Sequence, residues 1–427
     1  MKKNRSLGLY NTALFEVQIN TIDDNIIEKM SPSNTCIFFH EYIHFLQDFT
    51  TYYGLHHVYC YSEYIHEVVN MIYKNISSGL SLPVKNEQLH PNVALNIELK
   101  DSTLGDVNAT FEHIDIKSIE ITMKKVTIPN NEVHEIICVD VYDEKESFTF
   151  GQFAIKESMA YLMEQLTMPE VYEKSSDYPY NSAKKVAEYY NKEFAEDKLK
   201  ILALCDMSLM FSNPAEVFVD FMEKVKSLQV KVESPENVYN YFYDQNDVDG
   251  NSHIIKSYRE IAETVRSRLK SYINDYEPDT KAFYDWVDGI IDEGIQLRTE
   301  NKYWLLDMAR GGHLFYNQEF KKKLLKLGSP LIQNKLGHYY AFPNQSSNNN
   351  AVAIFAIILQ ILNLFMYGKV ECRLYQWCVS SNIDVDDRCK TSPWERCNSM
   401  NLCPYAQVWI HWNLKDYAPN LSKSNMN

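Results

Sequence analysis

The N-terminal part of the chain carries apolar side chains at the three- and four-residue spacing of helices. The pattern predicts one helix over residues 31–53 and a second over residues 55–75. Ser31 and Pro32 are typical of a helix start, and Gly54 between the two segments is typical of a stop. We therefore expect a pair of helices near the N-terminus.

Residues 80–150 alternate instead between apolar and polar positions, which is the period of a β-strand with one buried face. Four segments follow this pattern, namely VALNIEL, SIEITMKKVTI, EIICVDVYD and SFTF. The sequence Pro-Asn-Asn at residues 129–131 predicts a hairpin turn between the second and the third. The pattern predicts one small, mainly antiparallel sheet, and no second sheet is evident elsewhere.

After this sheet the pattern is mainly helical. Residues 151–169 predict a helix that begins near Gly151 and stops at Pro169. Further helices are predicted over residues 194–230, 252–276 and 281–299. Residues 351–367, AVAIFAIILQILNLFMY, are slightly short for a membrane span and include two amides, so we expect a buried core helix. Together with the sheet, these elements predict an α+β fold.

Charge and cysteine content restrict the classes of function. The chain has 42 basic and 57 acidic residues, a net charge of -15, which argues against nucleic-acid binding and against an anionic membrane surface. The positively charged N-terminus has no apolar stretch behind it, so we find no secretory signal and expect a cytoplasmic protein. Nine cysteines in that setting fit reduced thiols or metal ligands better than disulfides.

The first predicted helix contains the segment FFHEYIHFLQDF, whose polar side chains fall on one stripe. Residues three and four apart share a helix face, so His40, Glu41 and His44 are gathered while the other faces are apolar. Imidazoles at positions i and i+4 converge on one Zn²⁺, and the glutamate between them points at the fourth position. The sequence predicts a zinc site with His40 and His44 as ligands and Glu41 as general base.

The motif HEYIH at residues 40–44 resembles that of the zincin metallopeptidases, and in particular the gluzincins, whose third ligand is a glutamate on a later helix. Glu63 follows His44 at the spacing of the aminopeptidase-type gluzincins, although their N-E-G signature is absent. Glu157 lies in KESMAYLMEQLTMP, which resembles the third-ligand helix of the ImmA/IrrE-type metallopeptidases. The small Ala160 would let that helix approach the first one closely. We favour Glu157 and leave Glu63 open.

Two features depart from the family pattern. In typical zincins the substrate-binding sheet precedes the motif helix, whereas the predicted strands follow it here. Tyr161 also stands where thermolysin-like enzymes carry an aspartate that orients a ligand. Because groups behind the ligands fix the orientation of the imidazoles, another residue must take that role, and Asp48 is a candidate.

Five of the nine cysteines are close together near the C-terminus, at Cys372, Cys378, Cys389, Cys397 and Cys403. Their spacings match no C-x-x-C zinc signature. We interpret this segment as a packed region with reduced thiols, and a structural metal site is the alternative.

The resemblance implies a zincin-like metallopeptidase domain over residues 1–232 and a mainly helical, cysteine-containing region over residues 233–427. The implied function is zinc-dependent hydrolysis of peptide bonds in a selective protein substrate, with Glu41 activating a zinc-bound water. The alternatives are a non-catalytic or latent metal-binding sensor or scaffold, and a secreted effector toxin of zincin type. The expected partners are a protein substrate and, as an alternative, an activating or regulatory protein, with neither nucleic acid nor membrane.

Overall fold

The computed structural model describes residues 8–22, 30–75, 80–144, 146–172, 174–244, 253–273, 278–342, 354–380 and 382–421. In these ranges helices predominate and the strands form three small sheets, which confirms the α+β class.

The helices are α1 (Pro32–Thr50), α2 (Tyr52–Lys74), α3 (Pro91–Leu104), α4 (Gln152–Thr167), α5 (Ser182–Tyr190), α6 (Lys192–Glu196), α7 (Lys198–Ser208), α8 (Pro214–Lys226), α9 (Pro235–Tyr243), α10 (His253–Lys270), α11 (Pro278–Glu300), α12 (Trp304–Arg310), α13 (Gln318–Leu327), α14 (Ile354–Tyr367), α15 (Tyr375–Ser380), α16 (Arg388–Thr391) and α17 (Pro404–His411). Short 3-10 helices occupy Asn86–Gln88, Leu314–Tyr316 and Pro393–Asn398. The strands are β1 (Gly8–Asn11), β2 (Glu16–Ile19), β3 (Ser81–Leu82), β4 (Ser118–Thr127), β5 (Val133–Tyr142), β6 (Ser147–Phe150), β7 (Leu331–Asn334), β8 (Tyr339–Tyr340) and β9 (Asn420–Leu421).

The predicted pair of N-terminal helices is present as α1 and α2. Ser31 caps α1, because its side chain accepts a hydrogen bond from the Asn34 amide. The break between the helices falls at Thr51, which is extended and caps α2 in the same way. The prediction that Gly54 is a stop was wrong. Gly54 lies inside α2, where a Cβ atom would come within 2.3 Å of the Gln47 carbonyl oxygen, so the glycine permits close packing of the two helices.

The predicted antiparallel sheet is formed by β4, β5 and β6, with the hairpin turn where expected. The prediction of a strand at VALNIEL was wrong, because this segment lies in α3. Pro91 at the first helical position favours a helix start, and Val93, Ala94 and Ile97 bury a helical face. The other predicted helices are present, although residues 194–230 are divided among α6, α7 and α8.

A second sheet was missed in the sequence, with the strand order β1-β2-β7-β8. β1 and β2 are antiparallel, whereas β2 and β7 are parallel and pair Glu16 with Leu331. These strands have four residues or fewer, which is too short for a recognisable alternation. Because β1 and β2 precede α1, the expectation that all strands follow the motif helix was also wrong.

The C-terminal end of α1 is held by side chains from α10 and α11. Arg298 donates from Nε to the Thr50 carbonyl at 2.5 Å and forms a bidentate ion pair with Asp206 at 2.8 and 2.6 Å. Tyr258 donates to the Phe49 carbonyl at 2.6 Å. Both members of the ion pair are fully buried. These donors satisfy carbonyls that a helix end leaves without an intrahelical partner.

The hydrophobic core extends across the boundary predicted after residue 232. α1 packs against α11, β2 pairs with β7, and buried apolar residues of both parts belong to one cluster. The division into residues 1–232 and 233–427 stays a prediction, and the fold joins the two parts at the helix that carries the motif.

The apolar helix α14 is buried, as predicted, and residues 351–353 of the predicted segment lie outside the described ranges. Gln360 is 2% exposed, and its amide bonds to the Lys369 carbonyl and the Arg373 amide. Across the described ranges, every helix is too short or too polar to cross a bilayer.

Candidate metal centre

The structure brings His40, His44 and Glu157 together between α1 and α4. His40 Nε2 lies 3.1 Å from Glu157 Oε2, and His44 Nε2 lies 3.3 Å from Glu157 Oε1. Helices α1 and α4 pack directly against each other, and Ala160 of α4 is fully buried. Within the described ranges, this is the one group of potential ligands whose atoms all lie within 4.8 Å of one another. A buried group of this composition could hold a metal ion.

The other nitrogen of each imidazole is occupied. His40 Nδ1–H donates to Glu164 Oε1 at 2.6 Å, and His44 Nδ1–H donates to Gln47 Oε1 at 2.8 Å. Both Nε2 atoms are therefore left facing the Glu157 carboxylate. This is the arrangement of metal-binding histidines, because a partner on the far nitrogen fixes the tautomer and orients the ring.

The sequence placed Gln47 on the polar stripe without a role and did not indicate Glu164, although helical spacing points to both. Glu164 follows Glu157 by seven residues, two turns along the same face of α4, and Gln47 follows His44 by three. Tyr161 does not take the orienting role, since its hydroxyl accepts from the Ser175 amide at 3.1 Å.

Asp48, the candidate for the orienting role, contacts neither imidazole, so that prediction was wrong. Its Oδ1 atom accepts from Lys156 Nζ at 3.0 Å, and its Oδ2 atom accepts from the Ala13 amide at 2.7 Å. Gln47 Nε2 donates to the Lys156 carbonyl at 3.2 Å. Asp48 and Gln47 therefore connect α1 with α4 immediately beside Glu157, and this fixes the distance between the helices that carry the ligands.

Glu41 lies on the same buried stripe, 6% exposed, and faces the start of β1. A Cβ atom at Gly8 would come within 2.4 Å of Glu41 Oε1 and 2.7 Å of Ile37 Cγ2, so any larger residue at this position would have to displace the Glu41 carboxylate. Burial raises the pKa of Glu41 to about 7, although His40 and His44 lower it. Neighbouring atoms thus restrict the position of the Glu41 carboxylate, and with this pKa it can take up or release a proton near neutral pH.

The charges around His40, His44 and Glu157 favour the binding of a cation. Burial would lower the pKa of His40, but Glu164 and Glu157 outweigh burial and hold it well above its usual value. Burial would raise the pKa of Glu157, but His44 and His40 outweigh it and the pKa is lowered. Three carboxylates, those of Glu41, Glu157 and Glu164, surround two imidazoles here. Positive charge between them is stabilising, which suits a divalent metal ion.

Two tyrosines border the group. The Tyr10 ring stacks on His44 with the ring centroids 6.2 Å apart, and the Tyr180 ring lies edge-on to His40 at 6.1 Å. Burial raises the pKa of Tyr180, and the carboxylates of Glu157 and Glu41 raise it further. The Tyr180 hydroxyl therefore stays protonated beside the group. No sequence pattern indicated either tyrosine.

Glu63, the alternative third ligand, is not part of this group. It lies on α2, and its Oε1 atom pairs with Arg268 Nη2 of α10 at 2.6 Å. The structure therefore places Glu63 in an ion pair between α2 and α10.

An open groove of about 400 Å³ begins at Gly8. It is lined by β1, β2 and the end of β7, at Gly8, Leu9, Gln18, Ile19, Asn20, Gln333, Asn334, Lys335 and Gly337. Gly8 therefore lies both in the wall of the groove and next to the Glu41 side chain.

Comparison of the chain with protein-family models, with curated proteins and with solved structures finds no match.

Proposed function

We propose that the protein is a zinc-dependent metallopeptidase of zincin type. The observation that carries the proposal is the orientation of His40 and His44, both of which turn Nε2 towards Glu157 while Nδ1 is held from behind. Two imidazoles and one carboxylate are a donor set of catalytic zinc sites, which keep a fourth position open. Zinc, when bound, polarises a carbonyl group and lowers the pKa of water.

Glu41 is the general base in this proposal. A carboxylate with a pKa near neutrality can take a proton from the attacking water and return it to the leaving amine. The proximity of Gly8 supports this role, because the absence of a side chain there leaves room for the Glu41 carboxylate beside β1.

The edge strand β1 supports a peptide as the substrate. In the described ranges β1 pairs with β2 on one side, so its other edge can accept an extended peptide as an added strand. Such a peptide would pass Gly8, where no side chain separates it from Glu41. Main-chain hydrogen bonds to β1 would then place a peptide bond at the catalytic group.

Tyr180 is the donor that we assign to the developing oxyanion. Its hydroxyl stays protonated next to the carboxylates of the site, and its ring is fixed against His40. A preorganised donor of this kind stabilises the charge that forms as a peptide carbonyl is attacked.

Selectivity would come from the C-terminal part of the chain. Gln333, Asn334 and Lys335 line the groove although they lie far from the motif in sequence. The side chains of Gln333 and Lys335 can contact substrate side chains, which supports a restricted protein substrate. Asn334 is 4% exposed, and its side chain shapes the groove wall from within, because it bonds to Tyr340 and to the amides of Leu336 and His338. An activating or regulatory protein stays part of the proposal.

Metal analysis combined with cleavage profiling of a proteome-derived peptide library tests this function. We expect about one zinc per chain. Glu41→Gln keeps the shape of the side chain but cannot accept the proton, so zinc should remain while turnover falls by about 10²- to 10⁴-fold. Glu63→Gln is the matched control and should retain both zinc and turnover, because Glu63 pairs with Arg268 elsewhere.

Undiminished cleavage by Glu41→Gln would refute the assignment of the general base. If the wild type binds zinc, cleaves nothing, and its effect in cells survives Glu41→Gln, the protein is a metal-binding sensor or scaffold and the peptidase proposal fails.

A further inference from the structure

A second cluster of potential metal ligands lies far along the chain from the candidate peptidase site. Four thiols line one small cavity among the short helices near the C-terminus: Cys372 before α15, Cys378 in α15, Cys389 in α16 and Cys403 at the cap of α17. All four are between 6% and 8% exposed. The amide of Cys372 also donates to the carbonyl of Cys389 at 2.9 Å, which holds two of the ligand-bearing segments together.

The four thiols are close enough to influence one another. Burial, with smaller contributions from Cys378, Cys403 and Cys389, raises the pKa of Cys372 to about 12. Burial, together with Cys403 and Cys389, likewise raises the pKa of Cys378 to about 12. The four thiols therefore form a single cluster around one cavity.

The spacing of the thiols is too wide for a single zinc ion. Four thiolates at about 2.3 Å from one zinc would lie about 3.8 Å from one another. In the described part of the chain, the one set of three ligand atoms within 4.8 Å of one another is the group formed by His40, His44 and Glu157. No three of the four sulfur atoms described here are therefore that close together. The four sulfur atoms thus surround a larger volume, as four cysteine ligands do around an iron–sulfur cluster.

Two buried donors in the wall of the cavity have no partner within the described ranges. They are Arg396 Nε–H and the Tyr405 hydroxyl, on side chains that are each 1% exposed. The rest of the Arg396 guanidinium is fixed, because Nη1 bonds to Asp386 and Nη2 donates to the Asp384 carbonyl at 2.7 Å. Buried donors without an acceptor are destabilising, and the sulfur atoms of an anionic cluster would accept from both.

From the cavity, the four cysteines and the two unpaired donors, we infer that the C-terminal region binds an iron–sulfur cluster through Cys372, Cys378, Cys389 and Cys403. Each thiol loses its proton when it becomes a ligand, and Arg396 offsets part of the resulting negative charge. The segment between α14 and α17 contains only short helices, so a cluster would supply much of its cohesion. Arg373, next to Cys372, pairs with the fully buried Glu16 of β2 and connects this region to the four-stranded sheet.

The test is made on the full chain, purified without oxygen and incubated anaerobically with ferric iron and sulfide in the presence of a thiol reductant, which reduces only part of the iron. We expect iron and acid-labile sulfide in equal amounts, several of each per chain, and broad visible absorption that bleaches on reduction. Sulfide separates this site from metal at His40 and His44, which would bind an ion without sulfide. The outcome is independent of the proposed peptidase function.

Cys378→Ser should lose most of the iron, the sulfide and the absorption. Cys397→Ser is the matched control, because this cysteine is 4% exposed in the same region but lies outside the cavity wall, with its thiol bonded to the Ala406 carbonyl. It should keep the cluster. Zinc that is lost in Cys378→Ser but kept in His40→Ala, without sulfide, would overturn the inference. Neither iron nor sulfide after reconstitution, or a full complement of cluster in Cys378→Ser, would also overturn it.

Discussion

Substitution of Glu164 by glutamine changes the group behind His40 while leaving the three proposed ligands intact. The Glu164 carboxylate accepts from His40 Nδ1–H at 2.6 Å, and the two side chains are 12% and 11% exposed. Glutamine retains a carbonyl oxygen that can accept the same hydrogen bond but carries no charge. The perturbation therefore removes the ionic part of one buried hydrogen bond and little else.

The expected loss of zinc affinity follows from the strength of that hydrogen bond. A hydrogen bond to a charged partner contributes about 1.5 to 3 kcal/mol, and a neutral one about 0.5 to 1.5 kcal/mol. The loss of about 1 to 2 kcal/mol corresponds to a factor of about 5 to 30 in zinc affinity. This agrees with the effects of about 10- to 100-fold that follow the loss of groups behind metal-binding histidines.

The assay is a competition titration of the metal-free protein against a chromogenic zinc chelator. Glu170→Gln is the matched control, because Glu170 also pairs with a histidine, His313, at 2.5 Å, but its side chain is 57% exposed. Zinc affinity should be unchanged in that variant, since exposed pairs contribute little. An unchanged affinity in Glu164→Gln would refute the reasoning that this carboxylate orients a metal-binding imidazole.

Two further predictions concern the carboxylate of Glu41, the proposed general base, and the fold around it. Gly8→Ala places a Cβ atom 2.4 Å from Glu41 Oε1 and must displace it, so kcat should fall by about 100-fold while zinc content, measured in parallel, stays constant. Arg298→Met leaves the Asp206 charge buried without its partner and should lower the free energy of unfolding in urea by about 3 to 5 kcal/mol. Lys224→Met, which removes an exposed ion pair, should lower it by less than about 1 kcal/mol.

The candidate site was predictable where its geometry is local to one helix. His40, Glu41 and His44 share a face because of helical periodicity alone, and the same rule places Gln47 on that stripe, although it did not indicate what Gln47 does. Glu157 was favoured through the resemblance of its segment to a known ligand helix, and the structure brings it to the histidines.

Gly8 and Tyr180 could not be predicted, because tertiary packing brings them to the site. Gly8 lies in a strand of four residues, and Tyr180 lies in a connection before α5. Neither position carries a periodic signal. The same reason explains the missed sheet, since β2 pairs with a strand more than 300 residues away and such pairing has no local signature. At VALNIEL the helix start at Pro91 outweighed a short alternating pattern.

The parallel pairing of β2 with β7 delays completion of the four-stranded sheet while the chain is being synthesised. Glu16 and its partner Leu331 lie 315 positions apart, so at about 5 to 20 residues per second a ribosome takes roughly 16 to 60 s to connect them. During that time β1 and β2 lack the strand that completes their sheet. A nascent chain would therefore expose the HEYIH helix before the groove beside it exists. On the function proposed for this protein, proteolytic activity begins only after most of the chain has left the ribosome, and truncated translation products are inactive.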